Sequence, residues 1–277
     1  MHVKPLGLAL VLSLLLAHPG FGSTIFIGTD QEDFGDCPTT GPYACTSLDR
    51  LGKATVSGPN VVTSTIIPLD FFLNGLGDGT GFLYAGQAGT DRINEIDYNG
   101  NLVGGFNAAI PNSLYNEEMQ LVGGTLYHAH FPSEIERLDP TTGAAVAPPL
   151  AQEDVVGMAN VAGLVWISKW AGRTVGVWDP ITNIYTPVFS TPSNAGAIAY
   201  DADNAILWVG LQGGLVVPYT LTGVALNGGF LPFGPMEDTI DGLTFLGEGT
   251  QDVPEPATLL LLGAGLLKGM RYLKRRP

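Results

Sequence analysis

The chain has 277 residues, 45% of them hydrophobic and 14% charged, with 26 acids against 12 Lys plus Arg and a formal charge of −14. That length suits one large domain or two small ones, the apolar content excludes a disordered chain, and the acidity argues against nucleic acid as a partner. The bases gather at the ends: without 1–23 and 253–277, 6 bases face 25 acids, a balance of −19.

The chain opens with His2, Val3, Lys4 and Pro5, then twelve apolar residues from Leu6 to Ala17, and breaks at Pro19. Gly20 and Gly22 occupy the −3 and −1 positions for a cut after Gly22. This predicts a signal helix over 1–22 that is removed by a signal peptidase. Export suits the only two cysteines, Cys37 and Cys45, which lie eight apart in a loop rich in Pro, Gly and Thr and are expected to form a disulfide. So short a loop constrains the unfolded chain by about 2–3 kcal/mol, enough to pin a surface excursion but not the fold.

The body, 23–250, repeats. Aligning Tyr84, Tyr127, Trp166 and Trp208 gives spacings of 43, 39 and 42 residues, and each aromatic sits in an apolar run that reads as a strand. A second run follows each one (93–97, 135–139, 175–179, 215–219), ending in a turn that carries Gly or Asn: 98–101, 140–143, 180–183 and 220–223. Tight hairpins need such residues for positive φ. Third runs cover 102–106, 144–147, 184–189 and 224–230, and shorter apolar strands precede the aromatics at 119–122, 158–161, 197–200 and, more loosely, 69–73.

Four strands in about 40 residues is the pattern of a β-propeller blade. Thr24 to Gly28 matches a second strand with no first before it, and Ile240 to Leu246 matches the missing first strand. The prediction is an all-β, five-bladed propeller closed by pairing the N- and C-terminal strands in one blade, with the cysteine loop inserted there. Closure removes free sheet edges. A sandwich has no reason to repeat aromatic and turn at one period.

Glu117, Glu118, Glu153, Asp154, Glu237, Asp238 and Asp241 lie just before first strands, where loops converge on one face. Convergent carboxylates coordinate Ca²⁺ or bind sugar hydroxyls; the plainer reading is a solvated acidic rim. Glycosidases also use two carboxylates, but no catalytic pair can be chosen without a separation. His128 and His130 alternate on one strand about 7 Å apart, a spacing that can grip a metal, yet Ala85, Ile167 and Val209 at the position of His128 mark a packing column. Asp97, Asp139 and Asp179 sit where strand meets turn and are expected to bond turn amides. Trp170, at a hairpin tip beside Lys169 and Arg173, could stack on a sugar or cap its own turn. No nucleophile elbow, phosphate loop, zinc pattern or dinucleotide fingerprint is present.

Pro254, Glu255 and Pro256 precede a Leu-rich stretch, Leu259 to Leu267 with Gly263-Ala264-Gly265, and Lys268 to Arg276 is basic. The segment 253–277 closely resembles the PEP-CTERM sorting signal. That resemblance implies a short membrane helix and a basic tail read by an exosortase-like transpeptidase, with processing near Pro254 to Pro256. It implies transient anchoring in the inner membrane, then delivery to the cell surface, extracellular matrix or its polysaccharide. The basic tail independently favours tail inside and body outside. Lys268 leaves 257–267 as eleven uninterrupted apolar residues, short of a comfortable crossing, so it must snorkel.

The expectation is therefore an exported, non-enzymatic binding or structural propeller, with polysaccharide or a surface protein as partner. The alternative is a secreted propeller enzyme, a Ca²⁺-dependent lactonase, lyase or glycoside hydrolase using the carboxylates named above.

Overall fold

The computed structural model describes residues 22–29, 50–110, 116–235 and 239–248. The expected signal helix, Cys37 and Cys45, Glu237 and Asp238, and the tail with Pro254, Glu255 and Pro256 lie outside these residues. Among the described residues no helix is long and apolar enough to cross a membrane.

Among the described residues every regular element is a strand, and the strands form five antiparallel sheets. The first holds β1 (Ser23–Gly28), β2 (Arg50–Ser57) and β3 (Asn60–Pro68), and takes as its innermost strand the last one, β19 (Gly242–Phe245). Ile25 opposes Phe245 and Ile27 opposes Leu243. The second comprises β4 (Leu73–Asp78), β5 (Leu83–Gln87), β6 (Arg92–Ile96) and β7 (Leu102–Asn107). The third comprises β8 (Asn116–Val122), β9 (Thr125–His130), β10 (Glu134–Leu138) and β11 (Ala145–Ala151). The fourth comprises β12 (Val155–Val161), β13 (Leu164–Lys169), β14 (Thr174–Asp179) and β15 (Ile184–Ser190). The fifth has three strands, β16 (Ala195–Asp201), β17 (Ile206–Leu211) and β18 (Leu215–Tyr219). The body is a five-bladed β-propeller.

Burial follows strand order within each blade. Innermost strands are buried almost throughout, as in β12 and β16, while outermost strands such as β3 and β15 are largely exposed. Five apolar clusters form the core, and each lies between two neighbouring blades. Phe26 and Leu51 meet Leu73, Leu76 and Leu83; Tyr84 and Phe106 meet Met119 and Leu126; Ala129 and Ile135 meet Met158 and Trp178. Trp166 and Val175 meet Ile198 and Leu207, and Trp208 of the fifth blade meets Ile25, Ile27 and Phe245 of the first. Each fully buried large apolar side chain contributes about 1.5–3 kcal/mol, so these interfaces are the main source of stability.

Two strand expectations need correction. The first strand of the second blade starts at Leu73, not Leu69, because Pro68 still pairs with Arg50 and 69–72 must cross from an outer to an inner position. The run 224–230 forms no strand. It touches β18 only at isolated bridges, Ala225 to Tyr219 and Phe230 to Val216. Pro218 has no N–H to donate, and Asn227 Oδ1 accepts from the Gly229 amide, so the segment turns on itself before a ladder can form.

The turns that follow the third strands place Gly100, Gly143, Gly223 and Asn183 at positive φ. Asp97 Oδ1 accepts from the Asn99 and Asn101 amides, Asp139 Oδ1 from Thr141 and Thr142, and Asp179 Oδ1 from Ile181. Side-chain bonds lead in lowering Asp97 (from Asn101) and Asp179 (from Thr182), and backbone bonds from Thr141 and Thr142 lead for Asp139. A carboxyl depressed on folding stabilises the fold above its unfolded pKa and loses that contribution as pH falls. Changing all three to Asn is therefore expected to flatten the acid limb of a plot of Tm against pH between about 3 and 5, read by calorimetry.

Candidate functional site

Innermost strands of a propeller pair outward with their own blade, so their other edge faces the axis with free amides. The registers show which residues meet there. Leu76 opposes Ala85, Met119 opposes His128, Met158 opposes Ile167, Ile198 opposes Val209 and Leu243 opposes Ile27. The residue before each is Gly75, Glu118, Gly157, Ala197 and Gly242. Four blades thus have a minimal side chain at this level and one has a glutamate. The strand backbones approach closely there: a Cβ at Gly242 would lie 2.9 Å from Leu76 N, and one at Gly157 would lie 2.9 Å from Ile198 N.

Glu118 is fully buried and bonded across the axis. The Met158 and Ile198 amides donate to its Oε2 at 2.8 and 2.9 Å, and the Leu243 amide donates to Oε1 at 2.6 Å. Two residues further along the same strands, a second glutamate repeats the arrangement. Glu248, just after β19, is 1% exposed; its Oε1 accepts from Asn160 and Tyr200, each at 3.2 Å, and its Oε2 from Phe245 at 3.0 Å. Asp78 Oδ2 accepts from the Gly247 amide at 2.9 Å. Burial pushes Glu118 and Glu248 well above the usual carboxylate range, while the three amide bonds to each pull the other way. Glu248 adds to the rise at Glu118, and Asp78 to the rise at Glu248.

The other sequence candidates stand elsewhere. Glu117 is buried beside Glu118 in β8. Glu153 is exposed; Asp154 sits at φ 60° at a loop tip, its amide donating to Pro132 O and its carbonyl accepting from the Trp170 amide at 2.9 Å. Trp170 is half-buried, and the neighbouring Lys169 ammonium lies over the Tyr185 ring at 5.1 Å. Asp241 donates its amide to Gly28 O at 3.2 Å. His128 is buried with Nδ1 2.7 Å from Glu136 Oε2, and Glu136 Oε1 accepts from the Ile110 amide. His130 stands edge-on to it at 6.3 Å, and desolvation lowers its pKa.

Calcium needs six to eight oxygen ligands. Both Glu118 oxygens face amide hydrogens, and among the described residues no three His, Cys, Asp or Glu are grouped to hold a metal ion. The described residues do not fit a Ca²⁺ site at the axis.

A cavity of about 380 Å³ lies at the Glu248 end of the axis, on the face opposite the loops that lead into first strands. Ser23, Asp201, Asp203 and Glu248 line it with Gly22 and Phe245. Asp201 is 1% exposed and Ser23 Oγ donates to its Oδ1 at 3.0 Å. The sequence offered no signal for this face, because Asp201 ends a first strand and Asp203 follows it, outside both the loops before first strands and the turns after third strands. Sequence reasoning also missed Glu248, which lies beyond the last expected strand. The signal for Glu118 was present in the alignment, as one glutamate in a column of Gly and Ala.

Residues 252–276 match the PEP-CTERM protein-sorting motif, which marks an exported, envelope-processed chain handled by an exosortase-type system. No curated protein matches the chain. Among solved structures, virginiamycin B lyase from Staphylococcus aureus is 16% identical over 64% of this chain and 61% of its own, with a TM-score of 0.40. Glutaminyl cyclase from Myxococcus xanthus is 12% identical over 58% and 79%, with a TM-score of 0.45. The computationally designed Ika8 protein is 16% identical over 66% and 59%, with a TM-score of 0.40. The chain spans about three fifths of the lyase and of the design, and at these TM-scores none of the three likenesses bears on activity.

Glu118→Ala and Glu248→Ala each strand three buried amides and are expected to cost about 3 kcal/mol or more in denaturant unfolding. Glu153→Ala, at an exposed loop, is expected to stay within about 0.5 kcal/mol.

Proposed function

We propose that the chain is a non-enzymatic propeller of the cell surface or extracellular matrix that binds a polysaccharide or a surface protein. Its tail holds it in the inner membrane until an exosortase-type transpeptidase processes it near Pro254 to Pro256. The sorting motif at 252–276 carries the destination. For the body, the observation that counts is the commitment of Glu118 and Glu248 to backbone amides, because acids spent on the ring's own donors are not free to protonate or attack a substrate. A body at −19 repels acidic polymers at low salt, so the glycan best suited to it is neutral or amino-bearing.

Two experiments test this reading. Replacing Pro254, Glu255 and Pro256 by Ala in the full chain is expected to trap it in the inner-membrane fraction of an exosortase-bearing host, read by fractionation and blotting. Surface-released protein is expected to co-sediment with a neutral exopolysaccharide equally well with and without EDTA, leaving the polymer's size unchanged. EDTA-sensitive cleavage of the glycan or opening of a lactone would instead support the secreted-enzyme alternative.

A further inference from the structure

The cavity at the Glu248 end of the axis has an electrostatic imbalance. Asp201, Asp203 and Glu248 all line it, and among the described residues no Lys, Arg or His does. Asp201 is nearly inaccessible, and its bonds come only from neutral donors: Asn204 N and Nδ2, and Ser23 Oγ. Ser23 Oγ also lies 3.4 Å from Asp203 Oδ2. Burying a carboxylate without a cation is costly, and desolvation holds Asp201 above its ordinary pKa.

Two observations bear on what could balance that charge. β1 begins at Ser23, the residue that becomes first when the leader is cut after Gly22. Its nitrogen is three bonds from the hydroxyl oxygen that donates to Asp201 and lies 3.4 Å from Asp203. Position 22 is also sterically closed: a Cβ there would come within 2.5 Å of Thr55 Cγ2 and 2.9 Å of Val56 O. The uncut chain therefore reaches β1 only through glycine, a residue small enough for the −1 position of a signal-peptidase site.

We propose that this cavity receives the α-ammonium of Ser23 in the processed protein, with Asp201 and Asp203 as its counter-ions. Water adds across the Gly22–Ser23 amide; Gly22 departs with the leader as a carboxylate, and Ser23 keeps its nitrogen as an ammonium. Leader removal thereby creates an ion pair joining β1 of the first blade to the β16–β17 turn of the fifth. The inference rests on the export reading and gives signal cleavage a second consequence, the neutralisation of a buried acid.

The titratable groups facing Ser23 are Tyr200 and Asp201 at the end of β16, Asp203 in the turn and Glu248 after β19. On the β2 side, Thr55 and Val56 are uncharged. An ammonium among these carboxylates titrates above the ordinary α-amino value of about 7.7–8.0. Its pKa is raised on folding, so its stabilisation is complete below about pH 8 and fades as pH rises through the folded value.

The test uses full-length protein expressed in an exporting host and purified from its envelope. Mass spectrometry identifies the first residue, and the pH dependence of acetic anhydride labelling gives the α-amine pKa. The expected result is Ser23 at the terminus with a pKa raised by about one unit or more, returning to about 8 in Asp203→Asn and Asp201→Asn. Asp203 is exposed, so its variant remains informative if Asp201→Asn fails to fold. A first residue other than Ser23 overturns both this inference and the cleavage reading. Ser23 with an ordinary pKa, indifferent to Asp203→Asn, overturns the ion pair and leaves export standing.

Discussion

Five innermost strands brought edge to edge around an axis cannot satisfy one another's amides, and this chain meets that constraint with two buried carboxylates. Glu118 takes amides from three other blades; Glu248 takes amides from two of those blades and from Phe245, the last residue of β19. Amide donors surround both carboxyls, and these bonds oppose the burial that pushes the two groups above the usual carboxylate range. The requirement works in reverse on sequence. With one glutamate at the axis there is room only for Gly or Ala at the matching positions, which is what residues 75, 157, 197 and 242 supply.

The repeat was legible because packing between blades needs a large ring at one point in every second strand. Tyr84, Trp166 and Trp208 are 2%, 6% and 1% exposed, so their period traced blades rather than chance. The turn acids were legible for the same local reason: Asp97, Asp139 and Asp179 bond amides two to four residues away, within the reach of sequence inspection. The axis was not. Glu118 follows another acid and precedes a buried strand, so it resembled a loop carboxylate; only the cross-strand register separates it from its neighbours. The fifth blade's outer edge misled for a different reason, since the alternation in 224–230 was real but Pro218 and the Asn227–Gly229 turn prevent it from forming a ladder.

Destination and activity are encoded in separate parts of the chain. The tail motif concerns the membrane machinery alone, whereas the body's acidity divides into three populations: turn acids that fix hairpins, axial acids that hold the ring, and the group at Ser23, Asp201 and Asp203. Among the described residues, exposed loop acids such as Glu153 are the ones open to another molecule.

The sharing of one blade by β1 and β19 also sets a schedule. In N-to-C synthesis β1 emerges first and must wait for nearly the whole body before Phe245 reaches Ile25. Contacts so distant in sequence form slowly, so closure of the ring is a late step. Glu248 lies only a few residues before the sorting motif at 252–276. The lock on the ring is thus supplied by the last part of the body to be made.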